Sequence, residues 1–124
     1  MKTQVTFSQA VEGYLLAANA RHLSQNTLLE YTSTYRKFLA YTGSDPPIEN
    51  INVHMMEAFL ANQPVAKKTI LNYHTGLSAL WSWALDEGLV DENIMRRIKR
   101  PKPEKRSIVP YTQADIKMML SAIN

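Results

Sequence analysis

Apolar side chains recur at intervals of three and four residues along most of the chain, which is the period of an amphipathic α-helix. No segment alternates apolar and polar residues in the way that a half-buried strand does. The apolar stripes form five segments that end at glycine, proline or capping residues. They predict helices over about 7–20, 25–42, 53–63, 66–87 and 91–98. Short loops between them indicate an all-α fold, a compact bundle of four to five helices.

Capping residues mark where these helices begin and end. A side-chain oxygen at the N-cap accepts a hydrogen bond from the otherwise unpaired N–H groups of the first turn. The predicted N-caps are Thr6, Ser24, Asn52 and Asp91. Thr6 and Gln9 have the spacing of a capping box. Gly43 and Gly88 follow the second and fourth helices, where a left-handed residue commonly ends a helix.

The inward stripes of the five helices predict the core. Its members are Val11, Tyr14, Leu15, Ala18, Leu28, Tyr31, Tyr35, Phe38, Leu39, Met56, Phe59, Leu60, Ile70, Leu77, Leu80, Trp81, Ala84, Leu85, Ile94 and Ile98. Gly13 weakens the first helix by about 1 kcal/mol relative to alanine, so we expect it to allow close packing against another helix. His74 is predicted at the edge of the core, and His22 and His54 at the surface.

Charge is distributed unevenly along the 124 residues. Residues 96–106 contain seven of the fourteen Lys and Arg and one acid, Glu104, which gives this segment +6. The net charge of the chain is +3, so the remainder is mildly acidic at −3. Basic linkers between folded modules often lie along nucleic-acid backbone, although a solvated, flexible hinge has the same composition. A new helix start follows at 111–116, which predicts that the chain is the front part of a larger protein.

Composition argues against several classes of function. The chain has no cysteine, so it has no disulfide or thiolate site, and a reducing cytoplasm is expected. No apolar run approaches the ~20 residues that span a bilayer, and the N-terminus lacks the apolar core of a signal peptide. The three histidines lie on different segments and the four glycines are isolated, which gives no pattern for a metal site or a phosphate loop. We therefore predict no cofactor, no metal, no catalytic residue and no membrane partner.

The starts of the second and fourth predicted helices have the chemistry of an anion site. Their first turns carry Ser24, Gln25, Asn26 and Thr27 in one case, and Lys67, Lys68 and Thr69 in the other. Unpaired N–H groups and the positive end of the helix dipole suit a phosphate, and the lysines add charge. In the alternative interpretation, Ser24 and Thr27 are only capping residues, and Lys67 and Lys68 form a solvated face.

Several segments resemble the signatures of the tyrosine recombinases, the family of phage integrases and Xer-type recombinases. Residues 23–39, LSQNTLLEYTSTYRKFL, are similar to the pattern LS-x-x-T-l-x-x-Y-x-x-x-l-x-x-F. Residues 66–84 resemble the second signature, a helix that starts with a basic residue and Thr and continues as l-s-a-l-x-x-f-f-x-x-A. Residues 98–102 and 110–116 resemble the interdomain linker and the first helix of the catalytic domain.

The resemblance implies an orthogonal, SAM-like bundle and a particular division of the chain. Residues 1–99 would be the core-binding domain, 100–111 a flexible basic linker, and 112–124 the first helix of a truncated catalytic domain, disordered or frayed here. Ile94 and Tyr111 depart from the family pattern, which often has Pro and usually has Leu at these positions. In the family this domain forms one half of a C-shaped clamp round DNA, opposite the catalytic domain.

Double-stranded DNA is the partner that the resemblance implies. Together with the anion sites and the basic linker, it predicts DNA-binding roles for Gln25, Asn26, Thr27, Lys67, Lys68, Thr69, Asn72, Arg100, Lys102, Lys105 and Arg106. The family's catalytic arginines, His-x-x-Arg motif, Lys and nucleophilic Tyr would all lie after Asn124, so this chain is expected to bind DNA without cutting it. The parent would be a site-specific recombinase that forms a covalent phosphotyrosyl-DNA intermediate.

The resemblance also implies a bacterial or phage-encoded protein in the cytoplasm, whose protomers assemble on DNA with the help of the catalytic domain. The chain by itself is expected to be monomeric.

Two other functions stay open. A stand-alone DNA-binding regulator is disfavoured, because no recognition helix of a helix-turn-helix is defined. A helical protein-interaction module, favoured a little by the acidic bundle, would dock through a tail stripe made of Ile116, Met119, Leu120 and Ile123. The salt dependence of binding separates these functions. Each phosphate contact makes the logarithm of the binding constant fall with the logarithm of the salt concentration with a slope of about −0.9, whereas apolar docking barely responds to salt.

Overall fold

Four α-helices and two short 3-10 turns make up residues 4–100, the part of the chain that this computed structural model describes. The helices are α1 (Phe7–Ala20), α2 (Gln25–Thr42), α3 (Val53–Ala61) and α4 (Lys67–Asp86), and the turns are Ile48–Asn50 and Ile94–Arg97. This part of the chain has no strand, which confirms the all-α prediction. The predicted helix over 112–124 lies outside the described residues, as do Lys102, Lys105 and Arg106.

Three helices begin at the predicted caps. Thr6 and Gln9 form the capping box of α1. Ser24 and Asn52 each accept a hydrogen bond from the amide of the third residue of their helix, at 3.1 and 2.8 Å. Gly43 ends α2 with a φ of 71°, the left-handed conformation that favours glycine. The N-cap predictions for α1, α2 and α3 are therefore confirmed.

Aromatic side chains from all four helices form the centre of the core. Phe38 of α2 and Trp81 of α4 both contact Phe7, with ring centroids 4.9 and 6.0 Å away. Phe59 of α3 packs edge-on against Phe38 at 5.2 Å. Every predicted core residue is buried in this cluster or packs half-buried against it. Phe7 and Ala10 are also fully buried, although the periodicity did not select them.

The loop between α2 and α3 closes over the start of α1. The Phe7 amide donates to the Pro46 carbonyl at 2.8 Å, and the Ser8 amide donates to Asp45 Oδ1 at 2.9 Å. Burial acts to raise the pKa of Asp45, but hydrogen bonds from the Ser8 hydroxyl and amide outweigh it and lower the pKa. These contacts bury Phe7, because they hold the loop against the first turn of the helix.

Two glycines let neighbouring helices approach α4 closely. A Cβ on Gly13 would lie 2.7 Å from Trp83 Cη2, so α1 reaches this ring only with glycine there. A Cβ on Gly76 would lie 3.0 Å from a ring carbon of Tyr31, where α2 meets α4. The Tyr35 hydroxyl donates to the Gly76 carbonyl at 2.7 Å beside this contact. The close-packing role predicted for Gly13 is confirmed.

The predicted fifth helix over 91–98 is wrong, because only one 3-10 turn forms there. Its N-cap is Asn93, whereas the predicted cap, Asp91, is exposed. The Asn93 side-chain amide donates to two oxygens of α4, the Ser78 carbonyl at 3.3 Å and the Ser82 hydroxyl at 3.2 Å. These bonds hold Asn93 in an extended conformation, with φ −91° and ψ 99°, so the helical turn starts only after it.

Candidate nucleic-acid interface

Of the four helices described, α4 alone starts without a side-chain cap. Its N-cap is Ala66, whose methyl group accepts no hydrogen bond. Lys67 and Lys68 in the first turn are exposed, and Thr69 is half-buried. Amides at an uncapped helix start are satisfied by water or by a ligand, and the positive end of the dipole favours an anion. The Thr69 amide donates to the Ala66 carbonyl at 3.0 Å, so the features of this turn that suit a phosphate are the positive end of the helix dipole and the two exposed lysines.

A line of exposed and half-buried residues continues from this turn along α4. We name as the outer stripe Lys68, Asn72, Thr75, Ala79 and Ser82. Their spacings of three and four residues keep them on one side of the helix, opposite the buried face. The stripe is about 21 Å long at 1.5 Å per residue. After its lysine it offers the Asn72 amide and the Ser82 hydroxyl, which are suited to phosphate and sugar oxygens, whereas the Thr75 hydroxyl donates to the Leu71 carbonyl at 3.0 Å.

The first turn of α2 is satisfied largely by its own residues. Ser24 Oγ accepts from the Thr27 amide at 3.1 Å and donates to Thr27 Oγ1 at 2.9 Å. The predicted N-cap role of Ser24 is therefore confirmed, and the Thr27 hydroxyl is bonded to this cap. Gln25 and Asn26 are exposed, and no hydrogen bond ties their side chains to residues 4–100. They are the two side chains of this turn that are open to a ligand.

The two first turns lie within reach of one ligand. α2 and α4 meet where Tyr31 and Tyr35 contact Gly76. Thr27 and Lys68 are six and eight residues from the centre of this contact. At 1.5 Å per residue, and with the helix axes about 8–10 Å apart, Thr27 and Lys68 are about 10 Å apart if the two helices run parallel. They are about 23 Å apart if the helices run antiparallel, and other crossing angles give values in between. A DNA major groove is about 12 Å wide, so one duplex can span both turns.

The start of the basic segment lies beside the start of α4. Ile98 and Lys99 line one groove with Ile70, the residue that follows the predicted Thr69 site. The buried ring of His74 donates from Nε2 to the Ile98 carbonyl at 2.8 Å, which anchors the segment to α4. Arg100 is exposed at the end of the described residues. The fold therefore brings the entry of the predicted linker to the first turn of α4.

Two basic residues of this surface were missed from the sequence, Arg21 and Lys99. Arg21, at the end of α1, lines a groove together with Ala79 and Ser82 of the outer stripe. Its position beside α4 follows from how α1 packs, and no local sequence signal indicates that packing. Lys99 belongs to a basic run that was recognised, but its place beside Ile70 depends on the fold.

Other kinds of site find no support in residues 4–100. No group of three His, Asp or Glu side chains there is arranged to hold a metal ion. None of the described helices is long and apolar enough to cross a membrane. His22 and His54 are exposed and His74 is buried, as the sequence predicted. Burial raises the pKa of Tyr14, with neighbouring Tyr31 adding to the shift, so this phenol stays protonated.

Comparison with known proteins assigns the chain to a family. A family model described as the phage integrase SAM-like domain matches residues 5–100, so the chain belongs to the phage integrase SAM-like domain family. A tyrosine recombinase of Thermosipho africanus (strain TCF52B) is 30% identical over 115 residues, which cover 86% of this chain and 40% of that protein. The family predicted from the two signature segments is confirmed, and membership supports a role related to recombination.

Solved structures agree with this assignment. An integrase from mycobacterium phage Brujita superposes with a TM-score of 0.69 at 28% identity, covering 90% of this chain and 38% of the integrase. An NMR structure of a protein fragment from Clostridium leptum superposes with a TM-score of 0.70 at 18% identity, covering 86% of this chain and 98% of the fragment. The second match shows the fold alone. The chain spans about 40% of the length of the recombinase and integrase it matches.

Proposed function

We propose that this chain binds double-stranded DNA, as the core-binding part of a site-specific tyrosine recombinase. The observation that carries the proposal is the uncapped start of α4, where Lys67, Lys68 and Thr69 stand beside the amide end of the longest helix. A phosphate there would receive charge, hydrogen-bond donors and the helix dipole together. Because the remainder of the chain is acidic, its affinity for DNA comes from these locally placed lysines and not from the net charge.

In this proposal the exposed side chains have separate tasks. Lys68 and its neighbours hold a phosphate, and Asn72 and the rest of the outer stripe face the sugar and groove edge. Gln25 and Asn26 contact the duplex from α2, next to Thr27. The basic segment from Lys99 onward follows the backbone, as cationic linkers do. Phosphate contacts of this kind set position and orientation and carry little sequence information.

The proposal extends to the larger protein. Residues 1–99 would form one half of a clamp, 100–111 the linker that crosses the DNA, and 112–124 the first helix of a catalytic half. That half would supply the nucleophilic tyrosine and the covalent phosphotyrosyl intermediate, so this chain binds DNA and does not cut it. Protomers would assemble on DNA through the full-length protein, and this chain by itself is a monomer. The protein acts in the cytoplasm on bacterial or phage DNA.

The test is the salt dependence of binding to a labelled duplex, measured by fluorescence anisotropy between about 50 and 200 mM salt. The unsubstituted chain should bind more weakly as salt rises. Lys68→Ala should reduce the magnitude of the log–log slope by about 0.9, the value of one phosphate contact. Lys37→Ala is the matched control, because Lys37 is an exposed lysine on α2 outside the predicted contact set. Binding that ignores salt, or equal slopes for both variants, would contradict the proposal.

A protein-interaction module is the second candidate. Leu16 and Leu29 are 72% and 65% exposed, and a groove between α1 and α2 is lined by Leu15, Leu16 and Leu28. Apolar patches of this kind often mark protein contacts. Binding to a protein through them would persist at high salt and would be lost in Leu16→Ser, whereas the DNA affinity would not change.

A further inference from the structure

We infer that Arg21 is a further DNA-phosphate contact, placed at the opposite end of the outer stripe from Lys68. The inference rests on the proposed DNA-binding function and deepens it. It adds a DNA-contacting cation in the acidic part of the chain before residue 96, where basic residues are few. It also links the two predicted contact segments, which the sequence leaves unconnected.

The end of α1 fixes the position of Arg21. Its amide donates to the Ala17 and Ala18 carbonyls, both at 3.2 Å, so the residue closes the helix. The next residue, His22, has a φ of 63°, a left-handed conformation that is uncommon outside glycine. The chain therefore turns sharply after Arg21, and Ser24 starts α2 only three residues later.

Arg21 lines a groove between α1 and α4. The groove has small residues on both helices, Ala17 and Ala79, and an aromatic wall formed by Tyr14 and Trp83. The two rings are in contact, with centroids 6.1 Å apart. Trp83 is held in place because its ring packs directly on the backbone at Gly13 of α1. One wall of the groove is therefore packed against α1, and its two alanines are the smallest side chains that line it.

The charge of Arg21 is available to a ligand. The residue is exposed, and within residues 4–100 its guanidinium makes neither an ion pair nor a hydrogen bond. Arg97, by contrast, is paired with Glu92 at 3.2 Å. The acid that shares the groove with Arg21 is Asp86, which likewise makes no ion pair within the described chain. An arginine that is unpaired, exposed and placed over a groove is suited to bidentate phosphate binding.

The groove places Arg21 where it completes the proposed surface. Ala79 and Ser82, which line it, are the last two members of the outer stripe. Lys68 lies at the other end of the stripe, about 21 Å away along the helix. This separation exceeds the ~12 Å width of a major groove, so the two cations contact separate phosphates of the duplex. Arg21 therefore supplies the second anchor, beside the first turn of α2.

Four variants of the whole chain test this inference in the salt-dependent anisotropy assay. Arg21→Ala should reduce the magnitude of the slope by about 0.9, whereas Arg21→Lys should keep the slope because it keeps the charge. Asp86→Asn should strengthen binding, since it removes the acid that lines the same groove as Arg21. Arg36→Ala is the control: it removes the same charge from an exposed site 15 residues further along the chain.

The outcomes separate this inference from the function on which it rests. Equal slopes for Arg21→Ala and Arg36→Ala, or no gain in affinity for Asp86→Asn, would overturn the role of Arg21. If the unsubstituted chain shows no salt-dependent binding, the proposed function itself fails and the inference falls with it. Circular dichroism of each variant should match that of the unsubstituted chain, because Arg21, Arg36 and Asp86 are all exposed.

Discussion

The first turns of α2 and α4 differ in how their amide groups are satisfied. In α2, Ser24 Oγ accepts from the Thr27 amide and donates to Thr27 Oγ1, so a side chain caps the turn. In α4, Ala66 offers no side-chain cap, and two exposed lysines stand beside the open turn. The residue before each helix therefore decides whether a side chain caps its first turn, as Ser24 does in α2, or leaves it uncapped, as Ala66 does in α4.

The two first turns contribute differently to the stability of the protein. A side-chain cap contributes about 1 kcal/mol to the stability of a helix, so α2 gains stability that α4 gives up. No side chain caps the first turn of α4, where the Thr69 amide donates to the Ala66 carbonyl at 3.0 Å instead. We expect substitutions at α2 to change the free energy of unfolding, and substitutions at α4 to change DNA binding.

The largest effect should come from the core against which both helices pack. Trp81 is 1% exposed and contacts Phe7, so Trp81→Ala should lower the free energy of unfolding by about 3–5 kcal/mol. Urea denaturation followed by circular dichroism measures this change. Leu16→Ala is the control, because Leu16 is 72% exposed, and it should cost less than about 0.5 kcal/mol. A small effect of Trp81→Ala would mean that α4 is not held as described.

Removing the cap of α2 should destabilise the protein by less than Trp81→Ala does. Ser24→Ala leaves the Thr27 amide without its acceptor and should cost about 0.5–2 kcal/mol. Ser33→Ala removes a hydroxyl from an exposed position inside the same helix, and it should be neutral or slightly stabilising because alanine is the better helix former. Equal effects of the two substitutions in urea denaturation would show that the cap contributes nothing.

Adding a cap to α4 is the sharpest test of the comparison. Ala66 already has the extended conformation of an N-cap residue, with φ −68° and ψ 158°. Ala66→Asn should therefore raise the free energy of unfolding by about 0.5–1 kcal/mol. It should also weaken binding to a duplex, because the new side chain occupies an amide that the phosphate would use. A variant that is more stable and binds DNA equally well would contradict the role given to this turn.

The smallest effect on stability should follow the loss of Lys68 in the first turn of α4. Lys68 is exposed on the outer stripe, so Lys68→Ala should change the free energy of unfolding by less than about 0.5 kcal/mol. The same substitution should still weaken DNA binding. Destabilisation comparable with that of Trp81→Ala would show that the inner and outer faces of α4 are assigned wrongly.

Most of the fold was predictable because its signals are local. The cap at Ser24, the left-handed end at Gly43 and the apolar period of each helix are all read within a few residues. The buried position of Phe7 was not predictable, since it depends on a loop 38 residues further along the chain, at Pro46 and Asp45. The prediction of a fifth helix failed because it too depended on a distant contact. The Asn93 side chain bonds to α4, and Asn93 replaces Asp91 as the cap.

The candidate site was predictable only in part. The exposure of Lys67, Lys68 and Asn72 followed from helical periodicity, and the structure agrees. The groove that places Arg21 beside Ala79 arises from the packing of α1 on α4, which no single segment encodes. Whether any of these residues contacts DNA stays a prediction, because side-chain exposure does not identify a ligand.

The most direct test of the central claim is an NMR titration of the chain with a short duplex at low salt, followed by addition of salt. We predict amide shifts centred on Lys67–Asn72, smaller shifts at Gln25 and Asn26, and a shift at Arg21, all of which fade as salt rises. Shifts confined to residues 96–106 would contradict the account, because they would leave a basic segment that attracts DNA without the helical surface.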